Sequence, residues 1–460
     1  MTTTFAPFRA AGDRRLWLEE ARATLSLAWP MIIAQLAQVA LQTTDVLMTG
    51  RLGPEALAAG ALGAQLAIVF TIFGIGVLLA VSPLVAQAKG ARDPRGVRRS
   101  IRQGLWAAIV LAVVLMAGLA FTEGMLLAVG QDPALSAAAG EYVGWAMLGM
   151  PGALAFIALR GFLGALSKPL PATVITFFAI PLNAFLNWVL MFGNLGAPAL
   201  GLNGAGIATA VVQSAMCLTL IAFVASHRRL RRYHVFGRFW RPDWVRFREI
   251  FALGLPIGLA LIAEVGAFTA STWIMGWISE IHVAAHAIAL QIATVAFMVP
   301  LGLGMATTVR VGLAHGARDP VRVRRAGLVG LLAGAAVMSL SAIVLLGLPE
   351  QIVGLFLNPQ TPRDHRVFDL AVGFLFVAAV FQLADGVQVI AAHCLRGLSD
   401  TRYAFVAAAI GYWPVAFGLA LLLAFPLGLQ GLGVWWGLAL GLTVVAVALT
   451  RRFLKMTAPA

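Results

Sequence analysis

Charged side chains are scarce. Asp, Glu, Lys and Arg make up 11% of the 460 residues, against 60% for the hydrophobic set. A soluble protein is usually nearer 25% charged, and one this apolar would lack the polar groups to cover its surface. That argues against an ordinary water-soluble enzyme. Disorder is excluded as well, because low hydrophobicity is its signature. Lysine is nearly missing, with only Lys89, Lys168 and Lys455. Cysteine is confined to Cys217 and Cys394. Both lie in apolar stretches and form no metal or redox motif, so both are expected as small packing residues and not as a disulfide.

What remains is apolar and long-ranged. A spanning helix needs about 20 mainly apolar residues. Twelve such runs lie near 24–49, 57–88, 103–128, 137–159, 171–192, 203–226, 250–278, 283–314, 326–347, 367–395, 403–425 and 429–450. Open strands are forbidden in lipid and the runs do not alternate, so the expected fold is an all-α integral membrane protein and not a barrel. Residues 1–23 are mixed and charged, and the first apolar run is too long and carries Gln and Asp, so no cleaved leader is expected.

The net charge of +14 would point to nucleic acid in a soluble protein. Here it is split among short segments between apolar runs, which reads as membrane topology. Four Arg precede the first run (Arg9, Arg14, Arg15, Arg22), six basic residues fill 89–102, eight Arg fill 227–249, and Arg451, Arg452 and Lys455 follow the last run. These fall on one side if the spans alternate, whereas the other side holds Arg51, Arg363 and Arg366. The positive-inside rule then places both termini in the cytoplasm. No nucleic-acid partner is expected.

The chain repeats itself. Gly90-Ala91-Arg92-Asp93-Pro94 recurs as Gly316-Ala317-Arg318-Asp319-Pro320, an offset of 226 (316 − 90). The same offset pairs Pro30 with Pro256 and sets Gln38 opposite Glu264, while Leu159-Arg160-Gly161 echoes Leu395-Arg396-Gly397. The expected organisation is a tail (1–23), an N-lobe of six spans (24–226), an Arg-rich cytoplasmic linker (227–249), a C-lobe of six spans (250–450) and a short tail (451–460). Six is even, so the halves are parallel repeats with a substrate path where they meet. One chain holding both halves favours alternating access by a monomer.

Three acids fall inside the spans: Asp45, Glu264 and Asp385. Burying a carboxylate at mid-membrane is costly, by contested estimates from about 2.5 to above 10 kcal/mol, and none of the three has Arg or Lys within one turn of its own helix. Low dielectric favours the neutral form. Such a group can hold a proton and trade it for a metal cation or a cationic solute. Gln35, Gln38, Gln42 and Asp45 run at i, i+3, i+7 and i+10, one helical face. Gln382, Asp385 and His393 share a face of the tenth span, and Ser271 stands two turns beyond Glu264. Asn183 and Asn187, one turn apart in the fifth span, either orient a water or carboxylate or bond neighbouring helices. His282 and His286 have a spacing that suits zinc but lack a third ligand, so polar packing is expected. Arg310 is expected to snorkel to the cytoplasmic surface.

Several runs together resemble the multidrug and toxic compound extrusion (MATE) transporters, in their NorM-like branch. They are Asp45 through Gly50, Pro181-Leu182-Asn183 with Leu186-Asn187, Pro256-Ile257-Gly258-Leu259-Ala260 with Glu264-Val265, Ala284-Ala285-His286, Arg310-Val311-Gly312, and Asp385 through Ile390 leading to Leu395-Arg396-Gly397. The resemblance covers residues 24 to about 450. It implies a bacterial inner-membrane exporter of cationic, amphipathic compounds in exchange for H+ or Na+, with no resident cofactor. It assigns coupling and substrate binding to Asp45, Glu264 and Asp385, with sodium at Glu264 and Asp385. Gln38, Gln42, Asn183, Asn187, Phe381 and Gln382 become cavity-lining candidates. Phe381 stands where some relatives carry Tyr, which removes a hydroxyl that a cation would touch. The supply of oxygens near the acids is modest and leans toward a proton, while the resemblance leans toward sodium. A lipid-linked precursor flippase of related architecture should line its cleft with Arg or Lys, and here Arg is expected to avoid the spans. A membrane-embedded enzyme would need a nucleophile, base or metal cluster, and no such motif occurs.

The arginine asymmetry generates a test. In a background lacking Cys217 and Cys394, single cysteines placed in 227–249 or after residue 450 should resist an impermeant thiol reagent in intact cells and react after permeabilisation. Reaction from outside reverses the orientation.

Overall fold

Helix starts follow from cap chemistry. Asp93 accepts a hydrogen bond from the Arg95 amide and is followed by Pro94 at the first helical position. Asp319 accepts from the Arg322 amide and is followed by Pro320. Asp132 with Pro133 opens the fourth span in the same way, and Thr361 forms a reciprocal capping box with Asp364 ahead of the tenth. A short acceptor satisfies amides that have no partner within the helix, and proline there loses no bond.

The structure, a computed structural model, describes residues 11–458 apart from Arg238. The expected tails therefore lie partly outside the described residues, at 1–10 and 459–460, as does Arg238 of the expected linker. Among the described residues there is no strand. Twelve helices are long and apolar enough to cross a membrane: Arg14–Gly50, Pro54–Gly90, Pro94–Leu119, Pro133–Ala165, Leu170–Phe192, Gly201–Ser226, Trp244–Ile278, Glu280–Gly316, Pro320–Gly347, Pro362–Gly397, Thr401–Ala424 and Gln430–Met456. They match the twelve apolar runs in order. The third departs most from expectation. It starts at Pro94, because the Asp93-Pro94 cap lies two turns before the apolar run, and it ends at Leu119 instead of 128. Thr122 Oγ1 donates to the Leu119 carbonyl at 2.6 Å, engaging an acceptor of the last turn, and Thr122–Ala128 forms a separate short helix.

By backbone packing the chain groups into two compact units. One comprises Ile33–Gly266 with Asp400–Val406, and the other Met1–Ile32, Ala267–Ser399 and Ala407–Ala460. The boundaries thus fall inside the first, seventh and eleventh helices. Each unit reproduces the local geometry of the repeat. Arg92 has φ 56 and Arg318 has φ 57, each a left-handed residue just before the capping Asp. Within one unit Gly104 lies so near Val81 that a Cβ there would stand 2.7 Å from it, and within the other a Cβ at Gly330 would stand still closer to Thr307. Both pairs sit at the offset of 226 (330 − 104 and 307 − 81).

Arg310 does not snorkel. Its Nε and Nη2 donate to the two carboxylate oxygens of Glu20 at 2.6 and 2.7 Å. The Arg310 side chain is 14% exposed and that of Glu20 5%. The expectation failed because Glu20 belongs to a continuous helix from Ala11 to Gly50 and not to a solvated tail. A planar guanidinium forked onto a carboxylate is the arrangement that tolerates burial.

The eleventh and twelfth helices pack through small residues. Gly433, Gly437 and Gly441 recur every four residues, and each lies against the eleventh span, at Ala424, Ala420 and Ala416 respectively. In lipid, such close backbone approach drives helix association. Opposite this stripe the eleventh span widens into a π-helical segment over Gly411–Phe417, which contains Pro414; proline cannot donate to the helix ladder. Gly437→Leu should therefore overpack this seam and destabilise the fold by about 1–3 kcal/mol. Heating followed by size-exclusion chromatography should report a lowered midpoint. Gly418→Leu, at a position with nothing within 4 Å of a Cβ, should leave the midpoint in place.

Candidate functional site

The fifth span brings two amides to the first. Asn183 and Asn187 stand one turn apart on Leu170–Phe192, and both are fully buried. Asn187 Nδ2 donates to Asp45 Oδ1 at 2.8 Å and to Asn183 Oδ1 at 3.1 Å. The asparagine pair thus meets both expectations at once, since the bond reaches a carboxylate and joins the fifth helix to the first. Asn183 acts as the acceptor that orients Asn187. Asn187 Oδ1 is buried without a hydrogen-bond partner, so the group retains one spare acceptor beside Asp45, while Asn183 also lies within electrostatic reach of that carboxylate. Buried polar atoms are rarely left this way. Tyr142 of the fourth span is within electrostatic reach of Asp45; the sequence reading missed it, since only its place 97 residues further along the chain (142 − 45) is visible there.

The rest of the glutamine stripe divides. Gln35 accepts from Arg160 Nη1 at 3.1 Å. Gln38 is half-buried and Gln42 exposed. Arg160 lies within the helix Met150–Ala165, and Arg396 lies buried in the last turn of Pro362–Gly397. The expectation that Arg avoids the spans is corrected by these two. Each helix runs past the apolar run that marked it, and each arginine has a specific neighbour, Gln35 or His393. Glu264 is half-buried on the seventh span, in the same packing unit as Asp45.

Asp385 lies in the other unit, and its surroundings differ. It is buried, as are Gln382 and Gln388 on the same helix. Ser341 Oγ donates to Gln382 Oε1 at 2.7 Å. One turn before Asp385, Phe381 meets Trp435 edge-on at 5.6 Å and Phe268 edge-on at 6.0 Å. Phe374 and His286 also lie against Trp435, giving a continuous aromatic wall. His286 Nε2 is 3.3 Å from Ser271 Oγ, and His282 Nδ1 is 2.8 Å from Ser279 Oγ. Both imidazoles are engaged by serines and rings, as the polar-packing reading expected.

His393 shares a helix with Gln382 and Asp385 but serves another contact. Arg396 Nη1 lies 3.1 Å from His393 Nε2. A guanidinium only donates, so Nε2 accepts and Nδ1 carries the hydrogen. That hydrogen goes to Thr308 Oγ1 at 2.9 Å, and the threonine donates onward to the His393 carbonyl at 2.8 Å. The imidazole is consumed in joining the tenth helix to the eighth. Cys217 and Cys394 are both buried and free.

Known proteins match this arrangement. The MatE family model matches residues 30–189 and again 256–422, two copies whose starts differ by 226 (256 − 30), the offset of the internal repeat. The chain is 48% identical over 448 residues to a protein of Mesorhizobium japonicum described as a probable multidrug resistance protein NorM, covering 97% of this chain and 96% of that one. A relative of the same description from Pseudomonas putida is 44% identical over 434 residues, covering 94% of each. Among solved structures, a eukaryotic MATE transporter matches with a TM-score of 0.85 at 20% identity, over 96% of this chain and 97% of that one. A MOP superfamily transporter from Pyrococcus furiosus matches with 0.86 at 19% identity, over 95% and 96%. The structural likenesses show the fold, the sequence likenesses the family. With twelve apolar helices arranged in this fold and the family model covering both halves, the chain belongs to the MatE family: it is a multi-pass membrane transporter and not an enzyme.

Proposed function

We propose that the protein is a multidrug efflux antiporter that exports cationic, amphipathic compounds across a bacterial inner membrane in exchange for H+ or Na+. The observation that carries this reading is the carboxylate of Asp45 held by Asn187 within two spanning helices. A carboxylate there has one oxygen fixed by an amide donor. The acceptor left on Asn187 gives a proton-bearing group or a bare cation a second oxygen. Loading either one neutralises the carboxylate and releases a bound organic cation. The drug binds the charged form; the ion binds and displaces it. Asp385, one turn after Phe381 on the same helix, offers the second unit a carboxylate on the face that carries an aromatic ring, the pairing that suits an organic cation. Glu264 is the third acid in this scheme, and Glu264 and Asp385 are the carboxylates we assign to sodium if sodium is the ion. Net inward movement of positive charge is helped by the membrane potential, by about 2.3 kcal/mol per charge per 100 mV. Both termini face the cytoplasm in this scheme, and one chain suffices.

Variants test the carboxylates. Asp45→Asn, Glu264→Gln and Asp385→Asn, expressed at the level of the parent, should each lose coupled export of a fluorescent cation from vesicles. Asn187→Ala removes a hydrogen bond to a charged group, worth about 1.5–3 kcal/mol, and should slow export by about tenfold or more. Full drug resistance from all three acid variants would rule out exchange on shared carboxylates.

The ion is a separate question. The donor set around Asp45 contains few oxygens for sodium, a hard cation that needs several, and a proton needs none. In proteoliposomes with the potential clamped, a pH gradient alone should drive export. Export driven by an inward sodium gradient at equal pH, with no response to a pH gradient, would assign sodium instead.

A further inference from the structure

One face of the third helix, Pro94–Leu119, receives the arginine-rich linker. Trp106 Nε1 donates to the Phe239 carbonyl at 2.9 Å, and its ring stacks on Phe239 with centroids 5.4 Å apart. One turn nearer the start of the helix, Arg102 Nη2 donates to the Gly237 carbonyl, and a further turn back Arg99 Nε is paired with the carboxylate of Asp243. Residues 99, 102 and 106 lie on one helical face. The linker is therefore docked, not strung out.

Beside this contact lies a cavity of about 410 Å³. Arg99, Arg102, Arg241, Gln103, Asp243 and Trp244 line it. Three guanidinium groups thus face one carboxylate, and that carboxylate is already engaged. It is paired with Arg99, accepts from the Arg246 amide at 3.2 Å, and is held below the usual carboxylate range chiefly by its bond with Arg99. Arg102 Nε is buried and has no hydrogen-bond partner. The cavity therefore has an excess of positive charge, three guanidinium groups against one engaged carboxylate. Its rim is apolar as well: Trp244 is 63% and Val245 75% exposed, at the first residues of the seventh spanning helix, where tryptophans mark the membrane–water boundary.

We propose that this cavity binds the phosphate of an anionic phospholipid headgroup. Guanidinium groups match phosphate oxygens in planar, forked geometry, and basic pockets at the end of spanning helices take up anionic headgroups. Inorganic phosphate would offer the same oxygens. The exposed Trp244 and Val245 favour the lipid, because only a lipid brings glycerol and acyl groups to cover them. Bound there, the headgroup ties linker residue Arg241 to third-helix residue Arg102 at the bilayer surface. The site shares no residue with the acids proposed for transport.

The test uses the full chain, delipidated in a neutral detergent. Phosphatidylglycerol, phosphatidylcholine and inorganic phosphate are titrated separately, with the thermal midpoint and lipid retention in native mass spectrometry as readouts. Phosphatidylglycerol should raise the midpoint, and the other two should not. Arg241→Gln, an exposed side chain, should weaken binding by about fivefold, and the Arg102→Gln/Arg241→Gln pair by about 25-fold. The pair Arg228→Gln/Arg229→Gln removes equal charge from exposed linker positions outside the cavity and should leave binding intact. Equal response to phosphatidylcholine, or equal loss in the control pair, overturns the site. Saturation by inorganic phosphate with no added effect of lipid overturns the lipid as its occupant.

Discussion

A carboxylate in hydrocarbon has to be met by donors that the protein itself supplies, because lipid supplies none. At Asp45 the donor is Asn187, 142 residues further along the chain. That bond joins the first helix to the fifth. It also sets the role of Asn183, whose carbonyl oxygen accepts the same amide and holds it in place. With only one turn between them, the two asparagines present a short polar ladder on an otherwise apolar helix. Pro181 lies within that helix, two residues before Asn183; its missing amide leaves a carbonyl one turn earlier without a ladder partner.

The internal repeat separates scaffold from chemistry. Turn geometry, caps and close glycine contacts recur at an offset of 226 in each unit. The polar chemistry does not. The position equivalent to Asp45 is Ser271 (45 + 226), and Ser271 contacts His286 instead of an amide. The position equivalent to Gln38 is Glu264. The paired arginines have likewise diverged: Arg160 bonds Gln35, while Arg396 bonds the imidazole of its own helix, His393. Duplicated backbone requirements constrain small and capping residues alike in both copies. The side chains aimed between helices are left to differ, and Asp45 and Glu264 fall in one unit while Asp385 falls in the other.

This division also explains what was legible in the sequence. Twelve helices were readable because hydrocarbon thickness sets a length and an apolarity that no other segment matches. The acids were readable because their position in an apolar run is itself costly. Partners were not readable. Nothing along the chain joins Asp45 to Asn187, Glu20 to Arg310, or Arg102 to Gly237, since each contact closes over more than a hundred residues. Glu20 was hidden for a further reason. Hydropathy marks where a helix is apolar, not where it is continuous, and the first helix runs from Ala11 well before its apolar part begins. The break after Leu119 was hidden in the same way, because a hydroxyl capturing a carbonyl leaves the apolar run unbroken.

The environment of Phe381 bears on how a cation is handled. A tyrosine hydroxyl there would need an acceptor once buried. Phe381 instead sits edge-on to Phe268 and to Trp435, with no polar side chain in either ring contact. These contacts present ring faces and edges but no oxygen. Gln382 and Gln388 are buried on the same helix as Asp385, and Gln382 Oε1 accepts from Ser341. An organic cation carries its own apolar groups, and it gains from rings that a hydrated ion cannot use. If the proposed exchange holds, the aromatic wall is what would favour an organic cation over a small ion at the Asp385 carboxylate.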